Sequence, residues 1–262
     1  MIVFRLFFTA LILLWGPETS IAEPLVSGGS ATVIEVIDGD TVILDGEIEG
    51  SNEVRLVGIQ APKLPLGRKG FKKWPLADES KKKLEKLTLG QTLDLKFGGR
   101  RMDRHGRLLA HLFTKQGQWI QGDMISAGMA RVYSFPDNRA VVADMLKLEN
   151  AARNSNSGIW DDAYYQVRKA DNLVDLIGTF QLVEGVIIDT AIVRGTTYLN
   201  FADDWRSDFT ITLKKRALAT FIEAGLDPLL LKGKSVRVRG WLKKRNGPMI
   251  EATHPEQLEL MQ

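Results

Sequence analysis

Three short stretches constrain this chain more than any others. The first, Val36-Ile37-Asp38-Gly39-Asp40-Thr41-Val42-Ile43-Leu44, reads as two apolar strand segments joined at Asp-Gly-Asp. Asp38 and Asp40 stand two residues apart, so in extended chain their carboxylates point to one side. Such a pair suits a hard cation such as Ca²⁺. Asp and Gly are also favoured in turns for backbone reasons alone, and the stretch by itself fits that reading too. The second stretch, Val54-Arg55-Leu56-Val57-Gly58-Ile59-Gln60-Ala61-Pro62-Lys63, is an apolar strand carrying Arg55 and ending before a proline. The third, Met102-Asp103-Arg104-His105-Gly106-Arg107-Leu108-Leu109-Ala110, sets Arg107 directly after a glycine turn. Two arginines and an acidic pair at strand ends suit a phosphodiester, because arginine offers forked donors to phosphate oxygens and a metal can clamp the same group.

In order and spacing these stretches resemble the thermonuclease (staphylococcal-nuclease-like) family. The resemblance continues through Asp123-Met124-Ile125-Ser126-Ala127-Gly128-Met129-Ala130-Arg131-Val132 and Gly158-Ile159-Trp160, and covers Ala31 to Trp160. It implies an OB-type barrel with added helices and endonuclease-type hydrolysis of nucleic acid, DNA or RNA. It also implies roles for particular positions. Asp40 stands where the first metal-binding carboxylate belongs, and Ala61 where a backbone carbonyl joins the Ca²⁺ shell. Arg55 and Arg107 stand where two arginines hold the phosphate. Gln60 stands where a second carboxylate is expected, and Lys63 where a glutamate acts on the attacking water.

Those last two positions depart from the family pattern. Gln60 keeps a carbonyl oxygen but not the charge, and Ca²⁺ affinity tracks ligand charge. Lys63 puts a cation where a base belongs. A protonated ammonium cannot accept a proton and repels a nearby divalent ion, although a buried lysine can serve as a base. Asp38 and Glu53 lie near enough in sequence to compensate, and His105 reads as a turn histidine. Losing a general base costs about 10²–10⁴-fold in rate. Two readings follow: an exported phosphodiesterase with altered metal dependence and a weakened Ca²⁺ site, or a catalytically inactive module that binds nucleic acid or another polyanion at the cell envelope. A protein-interaction scaffold is a third class, to which Trp205 and the Lys243-Lys244-Arg245 loop are equally suited.

Charge distribution favours a polyanionic partner. The whole chain carries only +3. Between Arg55 and Lys115, however, 16 Lys and Arg face 5 Asp and Glu. An excess of that size draws nucleic acid, while Lys81-Lys82-Lys83 alone reads equally as a solvated helix face. In the loop Leu64 to Pro75, Arg68, Lys69, Lys72 and Lys73 surround Phe71 and Trp74. With Arg104 they are the expected nucleic-acid contacts, the aromatics stacking bases or, for Trp74, anchoring the loop to the core. The chain has no cysteine, which excludes disulfides, Cys-ligated zinc and a Cys nucleophile.

In chain order, residues 1–22 read as a secretory signal. Arg5 precedes an apolar run from Leu6 to Trp15, and Ser20-Ile21-Ala22 is a small-x-small cleavage site. The run falls short of the ~20 residues that span a bilayer. A periplasmic or secreted protein with no stable membrane span is therefore expected, an uncleaved anchor being the alternative. Residues 23–165 form the thermonuclease-like domain. Strands fill Ala31 to Ile59 with turns at Asp45-Gly46 and Gly50-Ser51-Asn52, helices lie at 78–89, 120–130 and 139–155, and strands at 92–97 and 108–113. Residues 166–177 are a connector within a partly helical stretch from Tyr164 to Leu176. Residues 178–262 show strands at 180–188, 197–201, 209–213, 235–242 and 248–252, with a helix at 215–224. Five strands with a helix before the fourth resemble an OB-fold. The expected class is mainly β with helices (α+β), two OB-like barrels in tandem, with no residue-level repeat between them.

Overall fold

A computed structural model of the chain describes residues 24–204 and 206–261. The segment read as a secretory signal, and Trp205, lie outside the described residues. The first half runs β1 (Val26–Asp38), β2 (Thr41–Ile48), β3 (Ser51–Leu56), β4 (Gly58–Gln60), α1 (Ala77–Thr88), β5 (Thr92–Phe97), β6 (Leu108–Phe113), α2 (Ile120–Ser126), β7 (Arg131–Tyr133) and α3 (Val142–Asn154). Five of these strands close a barrel in the order β1-β2-β3-β6-β5. The β3–β6 pair is parallel and the rest are antiparallel. Closure abolishes the free edges that an open sheet would expose. β1 is long enough to pair twice, with β5 through Val26–Thr32 and with β2 through Val33–Asp38. Every second residue of these strands enters the core, among them Val42, Leu44, Val54, Leu56, Leu93, Leu95, Leu108, Ala110 and Leu112, as the period of two requires.

The second half runs β8 (Arg168–Lys169), β9 (Phe180–Val186), β10 (Asp189–Val193), β11 (Thr196–Asn200), β12 (Thr210–Lys214), α4 (Lys215–Glu223), β13 (Ser235–Trp241), β14 (Lys243–Arg245), β15 (Gly247–Glu251) and β16 (Leu258–Leu260). These strands make a five-stranded sheet, β10-β11-β12-β15-β14, and a four-stranded one, β16-β13-β9-β8. The two sheets share one core of Val183, Leu199, Ile211, Leu213, Phe221, Val236, Val238 and Ile250. β9 leads directly into β10 and β13 into β14, so each pair is one bent strand serving both sheets. Counted that way, the connections follow the first barrel, with a parallel pair β12–β15 where the first has β3–β6. The helix before the fourth strand is α1 in one half and α4 in the other. The repeat is one of topology, not of residues.

The structure departs locally from the sequence reading. Asp45-Gly46 is not a hairpin turn: β2 continues through it with a register irregularity between Ile43 and Ile48, which absorbs it as a bulge. The turn lies at Glu49-Gly50, both at positive φ. α2 ends at Ser126 rather than at residue 130, because Gly128 takes φ +63° where a Cβ would lie 2.0 Å from the Ser157 carbonyl oxygen. α3 begins at Val142, not 139. The expected connector contributes β8, which pairs in parallel with β9. β10, β14 and β16 were not foreseen. No helix among the described residues is long and apolar enough to cross a membrane.

The halves meet through an apolar seam and a buried ionic one. Ala152, Ile159, Trp160 and Tyr165 of the first pack on Phe180 and Leu182 of the second. Beside them Arg239 of β13 is 1% exposed and bonds Glu149 of α3 at 2.7 Å and Glu259 of β16 at 2.6 Å. Glu149, fully buried, also accepts the Val132 N–H at 2.7 Å and pairs with Arg153 at 3.3 Å. Removing one partner of such a cluster strands the other's charge in a dry environment. Arg239→Ala is therefore expected to destabilise the protein by about 3 kcal/mol, the lower end of the range for a broken buried pair because Arg153 remains. Urea unfolding measures it, and a loss below about 1 kcal/mol would mean that the cluster does not join the halves.

Two histidines set the acid side of stability. Burial pushes His111 down to about 3 and His254 down to about 4, from an ordinary 6.5. His254 lies between Ser134 and Thr253, at 2.7 and 3.0 Å. The unfolded chain binds these protons first, so acid favours unfolding. Stability is full above about 6.5 and falls as pH drops, by about 1.4 kcal/mol per unit per histidine, until each folded value is reached. Denaturant melts at pH 7 and pH 5 test this; unchanged stability between them would contradict it.

Candidate active site

The candidate site begins at the turn from β1 to β2. Its glycine is required by α1: a Cβ at Gly39 would lie 2.0 Å from the Ser80 Oγ and 2.6 Å from the Ala61 Cβ. Held there, Asp38 accepts the Asp40 N–H at 3.0 Å. The Asp-Gly-Asp segment is thus a turn and also an acidic site. Both carboxylates converge on Lys63, whose Nζ donates to Asp40 Oδ1 and Oδ2 at 2.6 and 2.7 Å and to Asp38 Oδ2 at 3.1 Å. Asp40 is fully buried and also accepts the Ala61 N–H at 2.7 Å.

Arg55 is brought to the same turn by register, since it pairs across β2–β3 with Thr41. Its guanidinium lies 3.2 Å from Asp40 Oδ2 and donates to the Leu56 and Ile59 carbonyls at 2.6 and 2.7 Å. Burial works against the Asp40 charge, but Arg55 and Lys63 outweigh it and hold the carboxyl well below the usual range. Asp38 moves the other way, raised by burial and by the neighbouring Asp40 charge.

Arg55 also lines a cleft of about 420 Å³ with Arg104, His105, Arg107, Tyr133 and Phe135. The parallel pairing of β3 and β6, with Arg55 opposite Leu109, carries Arg107 to this side. Arg107 is held by Asp103, four residues earlier, through Nε at 2.8 Å and Nη2 at 2.7 Å. Glu53 stands 3.8 Å from the Arg107 Nη1, on the cleft side and apart from Asp38. Arg55 and Arg107 thus border one cleft, with the Asp–Lys cluster directly behind the first.

Gln60 does not face that cluster with its oxygen. The Gln60 Oε1 accepts from Arg131 Nε and Nη2 at 3.0 and 2.7 Å. Burial lowers Arg131 to about 10, and its guanidinium lies over the Phe180 ring of the second half at 4.6 Å. The loop cations are also set apart. Arg68 bonds the Pro65 and Leu64 carbonyls and covers Phe71 at 3.8 Å, and Lys73 pairs with Asp78. Lys69 and Lys72 are exposed. Trp74 packs against Tyr164 and the seam between the halves, so it anchors the loop. Arg104 is exposed and donates to His105 at 3.1 Å.

Ca²⁺ takes six to eight oxygens at about 2.3–2.6 Å, and these residues do not fit it. The Lys63 ammonium stands on both carboxylates, the Gln60 oxygen is committed to Arg131, and no third acid joins Asp38 and Asp40. Among the described residues no group of three or more His, Cys, Asp or Glu is arranged to hold a metal. The sequence reading had not singled out Asp103, Arg131 or the aromatics Tyr133 and Phe135. Asp103 was discoverable from the Asp-x-x-Gly-Arg turn, and Tyr133-x-Phe135 from its strand alternation; the Arg131–Gln60 bond is long-range and left no local signal.

The sequence is similar to those of known proteins. A family model described as "Staphylococcal nuclease homologue" matches residues 53–162. An "Uncharacterized endonuclease" of Escherichia coli O157:H7 is 30% identical over 132 residues, covering 50% of this chain and 76% of that protein. "Endonuclease YncB" of Bacillus subtilis is 27% identical over 147 residues, 55% of this chain and 67% of its own length. "Endonuclease YhcR" of the same organism is 26% identical over 157 residues, which make up only 12% of it. From Glu53 through Asp162 the matched region runs from within β3 past α3 and includes Arg55 and Arg107, and this chain belongs to the family of staphylococcal nuclease homologues.

Proposed function

We propose that the chain is a nucleic-acid phosphodiesterase of endonuclease type in which the Lys63 ammonium stands in place of a divalent cation. The carrying observation is that Arg55 and Arg107 border one cleft while Lys63 bridges Asp38 and Asp40 behind it. A phosphodiester in the cleft presents two non-bridging oxygens. Arg107 turns toward them its Nη1, which makes no hydrogen bond among the described residues, and Arg55, whose Nη groups rest on the Leu56 and Ile59 carbonyls, adds its charge at the cleft wall. Lys63 keeps the buried carboxylates compensated and adds positive field at the phosphate. Water attacks phosphorus and releases a proton to solvent, the ester P–O bond breaks, and the leaving oxygen takes a proton from solvent. The carboxylates at the cleft, Glu53, Asp103 and Asp137, each face an arginine and none is placed as a dedicated base, so turnover is slow. The basic and apolar segment at residues 1–22 supports export, to the periplasm or the medium.

A second reading, binding without turnover, is favoured by Lys63 itself, which stands where the resemblance expects the base. Incubating the protein with single- and double-stranded DNA and RNA in chelator and in Ca²⁺ separates the two. The expected result is slow cleavage, insensitive to chelator, that falls at least tenfold in Arg107→Ala. Binding with no cleavage under any of these conditions would leave the second reading standing.

Replacing the built-in cation tests its role without any assay of cleavage. Lys63→Glu puts a third acid beside Asp38 and Asp40, and in chelator it is expected to cost about 3–5 kcal/mol. Ca²⁺ should restore part of that: at ten times a dissociation constant, bound ion adds about 1.4 kcal/mol. Thermal melts of both proteins with and without Ca²⁺ give the answer. A wild-type melting temperature raised by Ca²⁺ as much as the variant's would show that Lys63 does not fill the cation's place.

A further inference from the structure

The cleft is lined by the first half, but its rim touches the second. Tyr133, on its rim, is gripped from the second half. The Trp241 indole Nε1–H donates to the Tyr133 hydroxyl at 2.9 Å. Phe180 packs edge-on against both rings, at 5.1 Å from Tyr133 and 6.3 Å from Trp241, while Phe135 meets Tyr133 edge-on at 4.8 Å. The outer members of this row stay open: Phe135 is 45% and Trp241 41% exposed. An indole fixed by a hydrogen bond and a ring contact, yet bare on its remaining surface, has already lost the freedom that stacking would cost it.

Beyond Trp241 the chain bends at buried Leu242 into β14, whose three residues, Lys243, Lys244 and Arg245, are all exposed. Lys243 pairs with Glu251 at 3.1 Å. Lys244 and Arg245 have no carboxylate partner among the described residues. At about 3.3 Å per residue, and with the bend at Leu242, they lie at most about 10–13 Å from Trp241, within the span of two nucleotides. Aromatic platforms alternating with unpaired cations are how single strands are held without regard to sequence, the ring taking a base and the cations the backbone. A base still stacked in a duplex has no free face to offer Trp241.

We propose that Trp241, Lys244 and Arg245 form a second-barrel extension of the binding path, occupied by single-stranded nucleic acid continuing out of the cleft. This rests on the cleft itself binding phosphodiesters, as proposed above. The extension explains why the row of rings crosses between the halves: Tyr133 serves the cleft on one side and the second barrel's platform on the other.

Fluorescence anisotropy in chelator, with fluorescein-labelled oligothymidylates of four and fifteen nucleotides, tests it on the full chain. The tetramer fits the cleft alone; the longer strand reaches β14. Wild type should bind the longer strand at least tenfold more tightly, and Lys244→Ala/Arg245→Ala should bring its affinity to within about threefold of the tetramer's. The salt dependence should also flatten, by about 0.7 in slope for each phosphate that is no longer neutralised. Trp241→Ala should give a similar loss of the length advantage. An advantage that survives both variants overturns the proposal, as does an equal, variant-sensitive gain with a fifteen-base-pair duplex or with polyglutamate. Tetramer binding with no gain for the longer strand removes the extension and keeps the cleft. If neither oligonucleotide binds, the cleft reading fails and the extension fails with it.

Discussion

The buried carboxylate of Glu149 is the point on which both halves of the molecule depend. It has four demands on it at once: the Val132 N–H, Arg153, Arg239 and a position with no exposure to water. The first demand fixes β7. The pairing of β7 with β4, Gln60 opposite Arg131, then fixes the chain that leads into Ala61 and Lys63. The third demand draws β13 of the second barrel against the first. A desolvated anion with those partners has few alternative arrangements. The geometry of the cleft is thereby tied to the docking of a barrel that contributes none of the expected catalytic residues.

The same logic governs the departure at Lys63. Two carboxylates held near each other under α1 repel unless a cation compensates them or one of them takes a proton. A divalent ion meets that need only when present. An ammonium on the same chain meets it always, and removes the dependence of the fold on an outside ion. The consequence is chemical rather than structural, because a position that carries a protonated ammonium cannot also serve as a base. Gln60 completes the change. Its neutral oxygen satisfies Arg131, whose charge is otherwise enclosed by Phe180, Trp74 and Tyr165.

How much of this is legible in the sequence depends on how far each interaction reaches along the chain. The strands of the first barrel and the placing of Arg55, Arg107 and Asp40 follow from local alternation and turn chemistry, which operate over a few residues. Lys63 is visible as an anomaly in its motif, but its three bonds to Asp38 and Asp40, over 20 residues away, exist only in the folded barrel. The loop from Leu64 to Pro75 shows the same limit from the other side. Its composition suggests a binding surface, yet Arg68, Lys73 and Trp74 are largely spent on holding the loop itself. Charge counts report cations without saying which are already paired. Trp241 gave no signal at all, because its meaning comes from Tyr133, 108 residues earlier.

The topological repeat separates what the fold supplies from what residues add. In the first barrel the turn from strand one to strand two is Asp38-Gly39-Asp40, and Arg55 faces its first following residue across the sheet. In the second barrel the corresponding turn is Arg194-Gly195, and Lys214 lies opposite Thr196. A cation thus stands at the matching place in both, but the second turn carries a positive charge where the first carries two negative ones. Lys214 instead pairs with Glu251 on the parallel strand β15, at 3.0 Å. The frame brings a strand end, a turn and a basic residue together twice. Only the turn with two acids creates a buried cluster that demands a cation, and only the first frame adds Arg107 and a cleft beside it. The same barrel is therefore a candidate catalytic scaffold in one copy and, through Trp241 and β14, a surface for a strand in the other, with the difference made by a handful of charged side chains at equivalent positions.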